Sequence, residues 1–219
     1  MGTSLLPIFH GTVKDQGDRP TCVAFAVTAF HEYWVDISRG QGNSLSTDLS
    51  EEFLHFHSKG RDGLPPNSGT RVEAASTSLS IEGQCLEKLH PYRNGTGPIA
   101  KPDSTALKDG KKRLLATLAK HKFSASTLQT ALNRNVPVLA VIQLFRSSYK
   151  PGSGGLLPEP KQGDVRLGLH AILLVGIEQS KQLEAVFKNS WGTGWGDRGF
   201  GRLSLKYLED HCLELWTDS

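Results

Sequence analysis

Residues 188–196 read Lys-Asn-Ser-Trp-Gly-Thr-Gly-Trp-Gly, directly after a short apolar run. Asn189 therefore follows a predicted strand and opens a turn rich in tryptophan and glycine. Its amide oxygen could accept a hydrogen bond from one nitrogen of a histidine, which would fix the tautomer and direct the other nitrogen to a reacting group. Trp191 would cover that bond and exclude water, in addition to packing in the core. This stretch predicts the orienting group of a histidine-dependent site.

A suitable histidine lies upstream in the segment Gly168-Leu169-His170-Ala171. We expect His170 to lie directly before a buried strand, where Gly168 and Ala171 leave its imidazole uncrowded. Beside a thiol, such a histidine can accept the thiol proton and later protonate a leaving amine. The other seven histidines are interpreted as structural. His55 and His57 would point to different faces of a helix, so no metal site is predicted.

The candidate nucleophile lies near the start of the chain, where residues 16–25 read Gln-Gly-Asp-Arg-Pro-Thr-Cys-Val-Ala-Phe. Cys22 stands where a polar loop becomes an apolar helix, and the unpaired N–H groups and positive dipole end of that helix favour a thiolate. Gln16 and the Cys22 backbone N–H could together hold the oxyanion of a tetrahedral intermediate. A buried structural cysteine is the alternative, but the accompanying Gln, His and Asn favour catalysis.

The periodicity changes from helical to strand-like along the chain. Helices are predicted over residues 22–37, from Ser50 to Phe56, and over 72–79, 106–120 and 126–133. Strands are predicted over residues 136–142, 171–176, 185–188 and 199–203. A Pro/Gly-rich stretch, residues 91–103, lies between the two parts. These patterns predict an α+β protein of two lobes, residues 1–103 and 104–219, with a cleft between them.

Composition excludes several classes of function. The 219 residues are 37% hydrophobic and 21% charged, with a net charge of +3, so neither a nucleic-acid partner nor a membrane is expected. The basic residues 111–113 are interpreted as the solvated face of a helix. Three cysteines and the lack of a signal-peptide pattern predict reduced thiols, in the cytoplasm or after delivery into the cytosol of a target cell.

Over essentially its full length the chain resembles the papain-like cysteine peptidases. The resemblance rests on the spacing from Gln16 to Cys22, the segment from Gly168 to Gly176 and the segment from Asn189 to Phe200. It implies a papain-like fold, with the nucleophile on a helical left lobe and His170 and Asn189 on a β-barrel-like right lobe. It also implies a catalytic set and no cofactor. That set comprises Cys22, His170, Asn189 and Gln16.

The resemblance further suggests where substrate would bind. Ser68 and Gly69 are the nearest match to the substrate-binding Gly-Gly segment of the family. Gly168, Leu169 and Trp191 are the other expected substrate-contacting residues.

The departures from the family pattern suggest a particular setting. Residues 20–23 read Pro-Thr-Cys-Val where Gly-Ser-Cys-Trp is usual, which is closer to prokaryotic relatives. The cysteines of the left-lobe disulfides are missing, and these residues include no inhibitory prosegment. We therefore expect control by a proteinaceous inhibitor or immunity protein, as for a bacterial effector or toxin domain.

The leading hypothesis is an endopeptidase that cleaves protein or peptide substrates through a thioester at Cys22. Two alternatives remain open at this stage. The same groups could catalyse another acyl transfer on protein side chains, such as deamidation, deubiquitination or transamidation. Less favoured is a non-catalytic papain-like binding module, because such a module would not need the complete set of Gln16, Cys22, His170 and Asn189.

Overall fold

A computed structural model describes residues 2–6, 12–38, 47–95 and 97–219. The chain divides into two compact units. The first, here called the helical unit, is essentially Gln16–Leu118, and the second, here called the sheet unit, is Ala119–Thr217 together with Val13–Asp15 and residues 2–6. The boundary at residues 103 and 104 that the sequence suggested falls inside the helical unit.

The helical unit packs helices around a long buried segment. Its helices are α1 (Cys22–Ser38), α2 (Glu51–Lys59), α3 (Val72–Ile81) and α4 (Ser104–Gly110). Twelve of the seventeen residues of α1 are buried, because the segment is apolar on nearly every face. The predicted start of α2 is confirmed, since the Ser50 side chain accepts a hydrogen bond from the Phe53 N–H.

The sheet unit is built on an antiparallel sheet of seven strands within the described residues. Its strands are β1 (Thr3–Ser4), β2 (Ala119–His121), β3 (Val138–Phe145), β4 (Arg166–Gln179), β5 (Leu183–Lys188), β6 (Phe200–Ser204) and β7 (Cys212–Thr217). Helices α5 (Ala125–Asn133) and α6 (Leu205–His211) accompany them. The strand order is β2-β7-β3-β4-β5-β6, with β1 paired to β4. The predicted strands all exist, but β1, β2, β7 and α6 were not predicted.

The helix predicted over residues 106–120 is wrong beyond its first turns, because α4 ends at Gly110. A Cβ on Gly110 would lie 2.9 Å from both the Glu82 carbonyl oxygen and the Phe53 ring, so the chain is packed too closely there for a larger residue. Arg113 then turns inward and pairs with Asp109. The solvated basic face expected at residues 111–113 is therefore wrong for Arg113, which is buried.

His170 lies within β4 rather than before it. The strand begins at Arg166, and its first four residues are exposed although they pair with β3. Sequence analysis detected only the buried half of the strand, because an apolar run marks burial and not hydrogen bonding. No helix in the described ranges is both long and apolar enough to span a membrane.

Candidate active site

Cys22 is the first residue of α1 and is half-buried. The first turn of the helix is closed by the Phe25 N–H, which donates to the Thr21 carbonyl oxygen at 3.1 Å. A side chain at this position lies at the positive end of the helix dipole, which stabilises a thiolate. Cys22, Cys85 and Cys212 form no disulfide.

The loop before α1 holds Gln16 in a defined orientation. The Gln16 side chain is buried, and its Nε2 donates to the Arg19 carbonyl oxygen at 2.7 Å. The Tyr92 hydroxyl donates to the Gln16 carbonyl oxygen at 2.8 Å. At the next residue, φ is +58° and a Cβ would collide with the Asn94 side chain, so Gly17 is required for this path. The loop therefore presents Gln16 as a fixed amide.

In the sheet unit, His170 and Asn189 form a direct hydrogen bond. His170 Nε2 lies 2.8 Å from Asn189 Oδ1, and both residues are buried. The Ser190 N–H donates to the same Asn189 atom at 2.9 Å, which identifies that atom as the amide oxygen, since a nitrogen of the amide could not accept. Asn189 Oδ1 accepts only, so His170 Nε2 carries the proton. In the neutral imidazole, Nδ1 then carries the lone pair.

Burial lowers the pKa of His170 to about 4, and the hydrogen bond that His170 donates to Asn189 offsets only part of that effect. A buried imidazole resists protonation because the cation loses its hydration. At neutral pH, His170 is consequently a neutral base whose accepting atom is Nδ1.

Backbone pairing places the two residues next to each other. His170 lies opposite Ile142 of β3, and β5 pairs with β4 so that Lys188 is opposite Leu173. Asn189 follows directly, and its N–H donates to the Gly199 carbonyl oxygen at 3.0 Å. The register of the sheet therefore sets the spacing between imidazole and amide.

Aromatic rings pack against the His170 imidazole. The Trp191 ring lies with its centroid 4.6 Å from that of His170, and the Trp195 ring meets Trp191 edge to face at 5.2 Å. The Tyr149 ring stacks on Trp191 at 5.0 Å. A low-dielectric cover strengthens the bond beneath it. Trp191 thus packs against the imidazole, and its predicted role in excluding water from the hydrogen bond stays a prediction.

The turn that carries Trp191 depends on glycine at defined points. Gly192 has φ of +71°, and a Cβ there would lie 3.1 Å from the Asp15 carboxylate. At Gly199, a Cβ would lie 2.2 Å from Val13 Cγ1. Residues 13–15 therefore pack against the turn more closely than a side chain would permit.

The expected substrate-contacting residues lie in two places. Gly168 and Leu169 are exposed on β4 next to His170, and the Gly168 carbonyl oxygen accepts from Gln143 Nε2 at 2.7 Å. Ser68 and Gly69 lie in the loop before α3, where a Cβ on Gly69 would lie 3.2 Å from the Pro20 carbonyl oxygen. That loop is therefore adjacent to the segment that leads to Cys22.

The structure thus groups the predicted site residues by unit. His170, Asn189 and Trp191 meet in the sheet unit, and Gln16 and Cys22 share one loop and helix start in the helical unit.

Sequence analysis missed the supporting residues Arg19, Tyr92 and Tyr149. Tyr92 entered the sequence analysis only within the Pro/Gly-rich stretch of residues 91–103, and no sequence signal identified the other two. Their partners are distant in the chain, so short-range patterns could not reveal them.

The remaining cysteines differ from Cys22 in their environment. Burial raises the pKa of both the Cys85 and the Cys212 thiols to about 12. Among the residues that the structure describes, no group of His, Cys, Asp and Glu side chains could hold a metal ion. Cys22 is therefore the thiol whose position suits nucleophilic chemistry.

Comparison with known proteins gives a consistent result. A family model described as "Papain family cysteine protease" matches residues 9–213. The chain is 24% identical over 213 residues to an uncharacterized peptidase C1-like protein of Acanthamoeba polyphaga mimivirus, covering 91% of this chain and 66% of that protein. It is 30% identical over 197 residues to digestive cysteine proteinase 2 of Homarus americanus, covering 88% of this chain and 57% of that protein. The chain thus spans less than two thirds of the length of either relative.

The fold is likewise shared with a solved structure. Xylellain, a cysteine protease from Xylella fastidiosa, superposes with a TM-score of 0.86 at 21% identity, covering 100% of this chain and 85% of that one. This likeness confirms the predicted α+β, two-lobed, papain-like fold. With the family model matching most of its residues, the chain belongs to the papain family of cysteine proteases.

Proposed function

We propose that this chain is a cysteine endopeptidase that cleaves protein or peptide substrates through a thioester at Cys22. The observation that carries the proposal is the His170–Asn189 hydrogen bond at 2.8 Å, in which Nε2 donates and Nδ1 is left as the basic nitrogen. Family membership and the position of Cys22 at the start of α1 support it.

The mechanism requires that Nδ1 of His170 reach the Cys22 sulfur. Nδ1 accepts the thiol proton, and the thiolate attacks the substrate carbonyl carbon. The oxyanion that forms is held by the Cys22 backbone N–H and by Gln16 Nε2. The His170 imidazolium then protonates the leaving amine, which leaves a thioester. Water, deprotonated by His170, hydrolyses the thioester and restores the thiol.

Labelling with iodoacetamide at neutral pH tests the nucleophile. Cys22 is expected to be alkylated, whereas Cys85 and Cys212 stay unmodified in the native protein, because their raised pKa values keep both thiols protonated at neutral pH. Cys22→Ala should show no labelling. Native protein in which Cys22 is not alkylated would contradict the proposal.

Mass spectrometry of a protein substrate after treatment identifies the reaction. Peptide-bond hydrolysis creates new chain termini, which the Cys22→Ala variant must not produce. Deamidation or transamidation of side chains changes the mass without new termini, and that result would replace the peptidase by the alternative acyl-transfer function. An inhibitor or immunity protein and delivery into a target cell stay predictions.

The pH dependence of kcat/KM tests the role of His170. Activity should fall as the pH drops through about 4, the pKa of the buried imidazole, because the protonated ring cannot accept the thiol proton. An acid limb at the ordinary histidine pKa would show that His170 is not held in the buried, neutral form.

A further inference from the structure

Arg19 lies three residues before Cys22, and its side chain is almost completely enclosed. Its guanidinium donates to both carboxylate oxygens of Glu52, at 2.5 and 3.3 Å, and to the Arg93 carbonyl oxygen at 2.6 Å. It also lies over the Tyr92 ring, 4.9 Å from the centroid. A planar guanidinium with four such contacts is fixed in both position and orientation.

Glu52 is itself held by more than the cation. It belongs to α2, its side chain is 1% exposed, and it accepts from the backbone N–H groups of Ala100 at 3.2 Å and Arg93 at 3.4 Å. Burial would raise the pKa of Glu52, but the Arg19 guanidinium and these two N–H groups outweigh burial and hold the pKa below its usual range. The pair is therefore charged and supplied with hydrogen bonds, the condition under which a buried ion pair is tolerated.

The backbone of Arg19 connects this ion pair to the oxyanion donor. Its carbonyl oxygen accepts from Gln16 Nε2 at 2.7 Å and from the Thr21 N–H at 2.8 Å. Nε2 has two hydrogens on one planar amide, so the bond to Arg19 determines the direction of the other hydrogen. The Tyr92 hydroxyl fixes the opposite side of the loop, through the Gln16 carbonyl oxygen and the Thr21 hydroxyl, each at 2.8 Å.

We propose that Arg19 is a positioning residue for acyl transfer. Held by Glu52 and Tyr92, it keeps its carbonyl oxygen where the Gln16 amide must bind, and so directs the oxyanion donor. This inference rests on the proposed peptidase function.

Two reactions of Cys22 separate positioning from general loss of structure. Peptide hydrolysis passes through an oxyanion, whereas alkylation by iodoacetamide does not. Removing an oxyanion donor costs about 10²-fold in kcat, so Gln16→Ala should lose roughly that factor. Arg19→Met should lose about 10-fold or more in kcat with little change in KM, because a small misplacement of a reacting group has effects of that order. Both variants should be alkylated at a rate close to that of the wild type.

A matched control comes from a second Arg–Glu pair of the helical unit. Arg61 bonds Glu82 at 2.7 Å, but this pair is more exposed and does not belong to the loop before Cys22. Arg61→Met should therefore retain the wild-type kcat. The Gln16→Ala, Arg19→Met double variant should be no slower than Gln16→Ala alone, because Arg19 acts through Gln16.

The outcomes are decisive in each direction. Wild-type kcat in Arg19→Met, multiplicative losses in the double variant, or alkylation that slows as much as hydrolysis would each overturn the positioning role. If Arg19→Met does not fold, Arg19→Lys replaces it. That variant keeps the charge but loses the planar, forked donors of the guanidinium. A several-fold loss of kcat with unchanged alkylation supports the proposal, whereas wild-type kcat overturns it. Native wild-type protein without any turnover would refute the peptidase function instead.

Discussion

The two units hold their functional side chains by different physical means. In the helical unit, which carries the nucleophile, charged side chains are paired where they are buried: Arg19 pairs with Glu52, and Lys59 pairs with Asp62 at 2.9 Å with side chains 7% and 0% exposed. In the sheet unit, the register of β4 and β5 and a cover of aromatic rings place His170 beside Asn189. The described ion pairs there, such as Lys206–Asp210, lie at the surface.

This difference predicts different sensitivities. A buried ion pair is costly to break, because the remaining charge has no partner and no water. A sheet with an aromatic cover tolerates loss of surface charge but depends on the few polar atoms that it encloses. The nucleophile side should therefore respond most to charge, and the base side to the imidazole and amide.

The largest effect is expected from His170→Ala. Loss of the base should lower kcat by about 10⁵-fold or more, since catalytic groups that act as a unit fail together. The matched control is His121→Ala in β2 of the same unit. The His121 imidazole forms a hydrogen bond with Thr217 Oγ1 at 3.2 Å, and its removal should leave kcat unchanged. Steady-state turnover of a peptide substrate is the measurement. Undiminished turnover in His170→Ala would show that His170 is not the catalytic base.

A smaller loss is expected from Asn189→Ala. The base remains, but its tautomer and orientation are no longer fixed, which should cost roughly 10²-fold in kcat when the reacting nitrogen is misplaced. Asn189→Asp keeps an acceptor oxygen and should retain more activity than the alanine variant. Equal losses in the two variants would show that the acceptor oxygen is not what orients His170.

Stability should distinguish the two units through a pair of matched ion pairs. Arg113–Asp109 in the helical unit and Lys206–Asp210 in the sheet unit both have i,i+4 spacing, but the first is buried and the second exposed. Arg113→Met should lower the free energy of unfolding by about 2 kcal/mol, because the buried Asp109 carboxylate loses its buried partner and keeps only the exposed Lys112 as a cation, at 3.2 Å. Lys206→Met should leave the free energy unchanged. Urea denaturation of both variants measures these changes. Equal losses of unfolding free energy in the two variants would contradict the comparison of the units.

The smallest effect concerns pH. Burial lowers the pKa of His31 to about 4, and the unfolded chain takes up the proton at the ordinary value of 6.5. The stability contributed by neutral His31 is present above pH 6.5 and is lost as the pH falls towards 4. His31→Asn can still donate to Gln84 Oε1 but does not titrate.

The free energy of unfolding of His31→Asn should therefore fall less steeply with pH than that of the wild type. The difference between the two slopes should approach about 1.4 kcal/mol per pH unit, the value for one proton. Denaturation at pH 5, 6 and 7 measures it. Identical slopes would show that folding does not lower the pKa of His31.

Much of the fold and part of the site were predictable from local pattern. The apolar segment of α1, the cap at Ser50 and the branched runs of β3 and β5 are short-range signals, and each was confirmed. The exposed half of β4 and the whole of β7 were not predicted, because their residues do not form apolar runs. β7 nevertheless lies between β2 and β3 in the sheet.

The sequence alone determined the family and the candidate chemistry, because the residue types and spacing around Cys22, His170 and Asn189 are local properties of the chain. Tertiary structure decided which imidazole nitrogen donates and where the Gln16 amide is held. Those properties arise from contacts between residues far apart in sequence, as between Arg19 and Glu52 or Gln16 and Tyr92. Only folding brings such partners within hydrogen-bond distance, and their desolvation then makes the contacts strong.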